Sequence, residues 1–317
     1  MRKKKPLLMI LKPLKWTCKK AVSLGITFVL CGAALLLEGC NGVIGNSNGE
    51  SGNITTVGSN VRIAATSAAT MQICEALDLD LVGVPTSSLV EIPERYADAT
   101  LLGSPMSPDM EILDSINPDW VLSPVSLYGD LQPKYEAAGY NYAFLNLSSV
   151  EGMFQSIIEL GQLFDKEAEA EALVDEFNSY MEEYNANHED KEGPTVLILM
   201  GLPGSYVVAT ENSYVGDLVK LAGGKNIYAG EEDDFIAANT EDMLQKNPDI
   251  ILRTAHALPD EVMEQFAEEF ETNDIWKHFE AVQEGRVYDL NYSHFGMSAN
   301  FEYQDALQDL DELLYGE

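Results

Sequence analysis

The chain has 317 residues, about twice the length of a typical domain, so one small compact domain is the poorer expectation. Hydrophobic residues make up 46% and charged residues 22%, which fits a folded protein and excludes a disordered one. The 52 acidic against 19 basic side chains give a formal charge of −33, which excludes a nucleic-acid partner, and four cysteines are too few for a disulfide framework.

The bases are crowded at the start. Arg2, Lys3, Lys4, Lys5, Lys12, Lys15, Lys19 and Lys20 are eight of the 19, and a charge-free apolar run from Ala21 to Leu37 follows them. A basic start, an apolar stretch and a small residue before a cleavage point describe an export signal. The order Leu37-Glu38-Gly39-Cys40 resembles a bacterial lipoprotein signal, in which the cysteine thiol is lipidated and becomes residue one after cleavage. Residues 1–39 are then the signal peptide and Cys40 the lipidation site, although Glu38 departs from the small or apolar residue usual at its place. An uncleaved anchor is the alternative, because about 17 apolar residues is the lower limit for a span. Both readings put the remainder outside the cell, on the membrane's outer face. Without residues 1–39 the chain keeps 11 bases against 51 acids, a charge of −40, and only Cys40 and Cys74. From Asn41 to Asn60 it is rich in Gly, Asn and Ser, so residues 40–60 read as the lipidated cysteine and a flexible tether.

Residues 61–164 read as a first α/β lobe. Strands are expected at Val61–Ala65 and Leu81–Pro85, and a helix–break–strand unit at Glu111-Ile-Leu-Asp-Ser-Ile-Asn117-Pro118-Asp119-Trp-Val-Leu122. That unit recurs as Glu241-Asp-Met-Leu-Gln-Lys-Asn247-Pro248-Asp249-Ile-Ile-Leu252, 130 residues later at every pair. Each copy reads as a short helix opened by a carboxylate, a Pro-Asp break that cannot continue it, and a buried strand. Copies so far apart argue for two similar lobes and not a tandem array. Between them, residues 165–192 form a connecting segment, with Asp165 expected to cap a helix from Lys166 to about His188. Leu173, Phe177, Tyr180 and Tyr184 make its apolar stripe, and a helix of this length spans about 34 Å. Residues 193–317 read as the second lobe, with strands at Thr195–Met200 and Arg286–Leu290. Strands alternating with helices mean parallel or mixed sheets.

In open α/β sheets ligands sit beyond the carboxyl ends of the strands. Those ends are the segments starting at Thr66-Ser67, Pro85-Thr86-Ser87-Ser88, Gly103-Ser104-Pro105-Met106, Ser123-Pro124-Val125, Met200-Gly-Leu-Pro-Gly204-Ser205-Tyr206 and Arg253-Thr-Ala-His256. The chain carries no Gly-x-Ser-x-Gly elbow, zinc-protease motif, phosphate loop or dinucleotide fingerprint, so it reads as a binding protein and not an enzyme. Acidic runs such as Glu231-Glu232-Asp233-Asp234 lack the spacing of a calcium loop and read as solvated surface. Among the four histidines, His188 reads as a surface residue on a helix end, His278 as part of an amphipathic helix, and His294 as a loop residue. His256 stands where a ligand belongs, with a satisfied core histidine as the competing reading. Met106 holds the matching place in the first lobe, with an exposed or gap-filling methionine as the competing reading. A thioether facing an imidazole is one of the ways haem iron is held, with both axial positions filled and none left for oxygen chemistry.

The segments Gly103-Ser-Pro-Met-Ser-Pro-Asp-Met-Glu111, Leu197-Ile-Leu-Met-Gly-Leu-Pro-Gly-Ser-Tyr-Val-Val-Ala-Thr210, Tyr214-Val-Gly-Asp-Leu-Val-Lys-Leu-Ala-Gly-Gly224, Asn239-Thr-Glu241, Pro248-Asp-Ile-Ile-Leu-Arg253 and Asn273-Asp-Ile-Trp-Lys-His-Phe279 closely resemble the haem-binding lipoproteins of the iron-regulated surface determinant system. Those are substrate-binding proteins of a haem ABC importer in Gram-positive bacteria. The resemblance runs from about Val61 to the C-terminus. It implies a periplasmic-binding-protein-like α/β fold, two similar lobes joined by one long backbone helix, with haem carried in a shallow cleft as transported ligand. It matches Met106 and His256 to the axial ligands, and Glu111 and Glu241 to the glutamates that dock on the permease. The expected haem pocket is Thr66, Ser67, Ser87, Ser88, Pro105, Val125, Gly204, Ser205, Tyr206, Arg253 and Phe295. The family's basic residue after Ser87 is missing here, so hydroxyls, helix starts, Arg95 or Arg253 must serve the propionates. The expected partners are the permease with its ATPase and a cell-surface haem donor, with the protein a monomer held to the membrane by lipid alone. Two alternatives stand beside this reading: a carrier of a ferric siderophore or a corrinoid, and an extracellular hydrolase using paired carboxylates.

Overall fold

The structure is a computed structural model, and it describes residues 43–45, 61–87, 90–188 and 191–316. The signal, Cys40 and Ser88 lie outside the described residues. The described residues together make one compact unit.

The first half runs β1 (Val43–Gly45), β2 (Ile63–Ala65), α1 (Ala68–Ala76), β3 (Leu81–Val84), β4 (Thr100–Leu101), α2 (Met110–Ile116), β5 (Trp120–Pro124), α3 (Tyr128–Ala138), β6 (Asn141–Leu145) and α4 (Val150–Leu163). Its six strands form one sheet in the order β1-β6-β5-β2-β3-β4, parallel throughout except for β1. All five residues of β5 are buried, as expected of a central parallel strand covered on both faces. The strand β1 falls inside the segment expected to be a tether. Its backbone pairs antiparallel with β6, Val43 opposite Phe144, because an open sheet edge offers unpaired N–H and C=O groups to any extended segment nearby.

After α5 (Glu167–His188) the second half runs β7 (Thr195–Leu202), β8 (Ser205–Ala209), α6 (Tyr214–Leu221), β9 (Lys225–Asn226), β10 (Phe235–Ala237), α7 (Thr240–Lys246), β11 (Ile250–Ala255), α8 (Pro259–Thr272), α9 (Glu280–Gln283), β12 (Val287–Asp289) and α10 (Tyr303–Tyr315). Its sheet has the order β10-β8-β7-β11-β12, with β9 beside the start of β7. The core strands β7, β11 and β12 are parallel, and β8 returns antiparallel from a hairpin.

The internal repeat holds in three dimensions. α2 and α7 begin and end at residues 130 apart. Each stops at an asparagine in the left-handed region, Asn117 with φ 45° and Asn247 with φ 43°, before the Pro-Asp break. The break's aspartate then accepts the N–H that leads into the neighbouring strand: Arg62 N to Asp119 and Thr195 N to Asp249, both 2.8 Å. The residues that open the helices are Asp109 and Asn239, whose side chains each accept two backbone N–H groups. Glu111 and Glu241 sit two residues past the caps, at the second helical residue, so the residue that opens each helix lies two positions before the expected one and is a carboxylate in the first half and an amide in the second.

Asp165 does not cap α5. It lies in the left-handed region at φ 56°, inside the turn that ends α4, where Lys166 N bonds Gly161 O, whereas a cap needs extended backbone. The stripe does hold α5 in place. Phe177 stacks on Phe154 of α4 at 4.3 Å between centroids, Tyr180 meets Tyr303 edge-on, and the Tyr184 hydroxyl donates to Asp311 of α10. α5 is therefore pinned to α4 at one end and α10 at the other. A single apolar cluster continues from Ile63 through Phe154 and Tyr184 to Ile198 and Leu310. His188 is not a surface residue: it stacks on Tyr184 and pairs with Asp311 at 2.8 Å. His278 is exposed at the end of a 3₁₀ segment, Asp274–His278.

Candidate functional site

On the first lobe, the end of β2 meets the start of α1. Thr66 is buried and its hydroxyl is shared between Leu122 O and Ser123 Oγ; Ser123 in turn bonds the Tyr135 hydroxyl. Ser67 caps α1 reciprocally with Thr70. Both hydroxyls therefore serve the fold, and the polar feature left at this edge is the amino end of α1 itself. Ser87 Oγ accepts the Val90 N–H. The loop after β4 is pinned by Thr86 N to Gly103 O and Asp109 N to Leu102 O. Its tip is a turn closed by Ser107 N to Ser104 O at 3.0 Å, with Pro105 in the position that favours proline. Met106 follows Pro105 at the tip and is 62% exposed. A thioether in water on a tied-down loop fills no gap in the core.

Across the chain, β11 delivers His256. Its N–H donates to Gly201 O at 2.9 Å and its carbonyl accepts the Tyr292 hydroxyl, so the backbone is fixed on both sides. The ring is half-buried, Nδ1 is fully buried, and Nδ1 has no hydrogen-bond partner. Burial pushes the imidazole below its ordinary range, so it is neutral at pH 7, the form that binds metal. The other histidines differ: His188 and His294 are paired with Asp311 and Asp309, and His278 is at the surface.

Three expected contacts are turned elsewhere. Arg253 is clamped by both oxygens of Asp289, at 2.6 and 2.9 Å, and lies over Phe270 at 4.7 Å. The clamp takes Nε–H and one Nη2 hydrogen, two of the five guanidinium donors, and turns the side chain toward the neighbouring strand β12. Arg95 is likewise tied to Asp78 and Asp80, ahead of β3. Phe295 is wholly buried beneath Thr254, whose hydroxyl bonds its carbonyl.

Pro203 and Gly204, with Gly204 at φ 83°, make the two-residue turn between β7 and β8. Gly204 N donates to Gln265, and Tyr206 donates to Glu269, which also accepts from Asn273 and Trp276. Gly204, Ser205 and Tyr206 thus line a groove of about 310 Å³ against α8. Val125 lines a separate narrow crevice where the two halves meet, with Pro124, Leu147 and Ser148 on one wall and Ser213, Tyr214, Asp234 and Phe235 on the other. The sequence reading missed the second wall, although Ser213 before the Tyr214 motif is a cap signal that could have marked it.

Glu111 and Glu241 are exposed, and their carboxylates make no hydrogen bond or ion pair among the described residues. Each helix runs back against its sheet, so both glutamates stand on the side of the strands' carboxyl ends.

Comparison with known proteins adds the relatives. Residues 63–292 match the family described as periplasmic binding protein. The chain is 41% identical over 288 residues to the high-affinity heme uptake system protein IsdE of Staphylococcus aureus (strain Newman), covering 90% of this chain and 96% of that protein. The crystal structure of S. aureus IsdE complexed with heme superposes with a TM-score of 0.77 at 42% identity, over 81% of this chain and 100% of that one. An ABC transporter substrate-binding protein from Listeria monocytogenes EGD-e superposes with a TM-score of 0.77 at 47% identity, over 82% and 100%.

Proposed function

We propose a function from a premise that is itself a finding: the chain belongs to the periplasmic binding protein family, and its relatives bind and do not catalyse. The protein is the substrate-binding component of a haem ABC importer, and haem is its transported cargo. The observation that carries this reading is His256, a half-buried, neutral imidazole without a carboxylate partner at the carboxyl end of β11. Met106 supplies the second axial group from the opposite sheet, a soft sulfur already in solvent. With Arg253 and Arg95 both held by carboxylates, the propionates fall to the amino end of α1 behind Ser67 and to the Ser87 region. The same engagement disfavours an anionic ferric siderophore, which calls for convergent free cations.

The protein works beyond the cytoplasmic membrane alongside a permease and its ATPase. Our finer reading is a monomer held on the outer face by lipid on Cys40, receiving haem from a surface donor and docking through Glu111 and Glu241. No described helix is long and apolar enough to cross a membrane. The test is a haemin titration: a saturable one-to-one Soret band with a six-coordinate low-spin spectrum is expected. A featureless titration, with tight binding of a ferric siderophore or a corrinoid instead, overturns it.

A further inference from the structure

Four large apolar side chains are exposed among the described residues: Leu101 at 48%, Met106 at 62%, Tyr128 at 37% and Leu258 at 53%. Scattered exposed leucines need no explanation, but these are not scattered. Leu101 ends β4 and Met106 follows on the next loop, Tyr128 opens α3 just after β5, and Leu258 lies three residues beyond β11. All four belong to the edge where the parallel strands end.

Leu258 stands apart from the other three. Its backbone is left-handed, φ 48° and ψ 59°, a region in which a Cβ crowds the chain. It occupies the cap position of α8, makes no side-chain cap hydrogen bond, and is followed by Pro259. Asparagine would suit both the left-handed backbone and the solvent; glycine would suit the first. Leucine suits neither. Strain of this kind persists where surrounding structure imposes it and gathers at ligand clamps. Leu258 is also two residues past His256, whose Nδ1 has no hydrogen-bond partner.

We infer that Leu258 is a cargo-contact residue: its side chain packs on the apolar macrocycle beside His256 and slows haem release. The inference rests on the haem reading above. It predicts a residue that costs stability in the empty protein and repays it in the loaded one.

The test compares Leu258→Asn, Leu258→Gly and Leu258→Met with the parent chain, by melting temperature without haem and by haem transfer to excess apomyoglobin. Leu258→Asn and Leu258→Gly should melt no lower than the parent and release haem about tenfold faster, which is about 1.4 kcal/mol. Leu258→Met, which restores an apolar chain of similar reach, should release at nearly the parental rate. Parental release rates in both Leu258→Asn and Leu258→Gly overturn the contact while leaving the haem reading intact. Failure of the parent chain itself to load haem overturns both.

Discussion

At the scale of single residues, the four histidines are separated by their partners and not by their sequence surroundings. His294 is held by Asp309 at 2.7 Å and His188 by Asp311 at 2.8 Å, so each has a carboxylate to keep it. His256 is half-buried, no carboxylate holds it, and its Nδ1 makes no hydrogen bond, so its ring is not committed to a structural pair. His256→Ala should abolish the low-spin haem spectrum, whereas Met106→Ala should leave a five-coordinate or water-ligated haem bound through His256. Absorption and electron paramagnetic resonance spectra of the two variants check this. An unchanged His256→Ala spectrum would transfer the ligand role to His294. The position of His256 at a strand end was legible in the chain; its lack of a partner was not, since that depends on which carboxylates the fold brings near.

At the scale of elements, α4 and α6 are coupled by one carboxylate. Asp217 of α6 accepts the Val150 N–H at 2.8 Å, at the start of α4. Burial pushes its carboxyl up from 3.8 to about 6, against the partly compensating Val150 N–H. Because the folded value is raised, the neutral form is favoured: its stability is whole below pH 3.8 and is lost as pH rises through about 6. Above that, the ionised carboxylate costs about 3 kcal/mol by the size of the shift. Asp217→Asn keeps an oxygen for Val150 and removes the charge. It should raise the melting temperature by several degrees at pH 7.5, with little change at pH 4, and flatten the profile between. An equal shift at both pH values, read by calorimetry, would assign the effect to packing and not to ionisation. No local pattern announces this link: residues 150 and 217 are far apart in the chain and meet only when the two halves pack.

For the whole molecule, the repeat gives each half an exposed glutamate at the second residue of an equivalent helix. The capping is done by Asp109 and Asn239, so the Glu111 and Glu241 carboxylates are free of that duty, and on the docking reading proposed above they face the permease. Charge pairs of this kind set orientation and encounter rate more than affinity. The double variant Glu111→Ala with Glu241→Ala should keep the parental haem spectrum and affinity, and lose no more than about 1 kcal/mol of stability per site. ATPase stimulation of the reconstituted importer and haem-dependent growth should fall sharply. Undiminished uptake would leave the two glutamates as minor contributors to helix stability only.

The sequence by itself determined what depends on local order and repetition. The two α/β halves, the paired helix–break–strand units and the stripe of α5 follow from periodicity, proline breaks and left-handed asparagines, all encoded within a few residues. The strand-end places of Met106 and His256 follow from the same local grammar, and the resemblance added their roles. Only the tertiary structure decided which polar groups remain free. It turned Arg253 onto Asp289, buried Phe295 under Thr254, spent Thr66 on the fold, drew Val43–Gly45 onto the edge of β6, and left His256 without a carboxylate partner. A side chain's availability is set by neighbours tens to hundreds of residues away, and their approach is fixed by packing of the core as a whole.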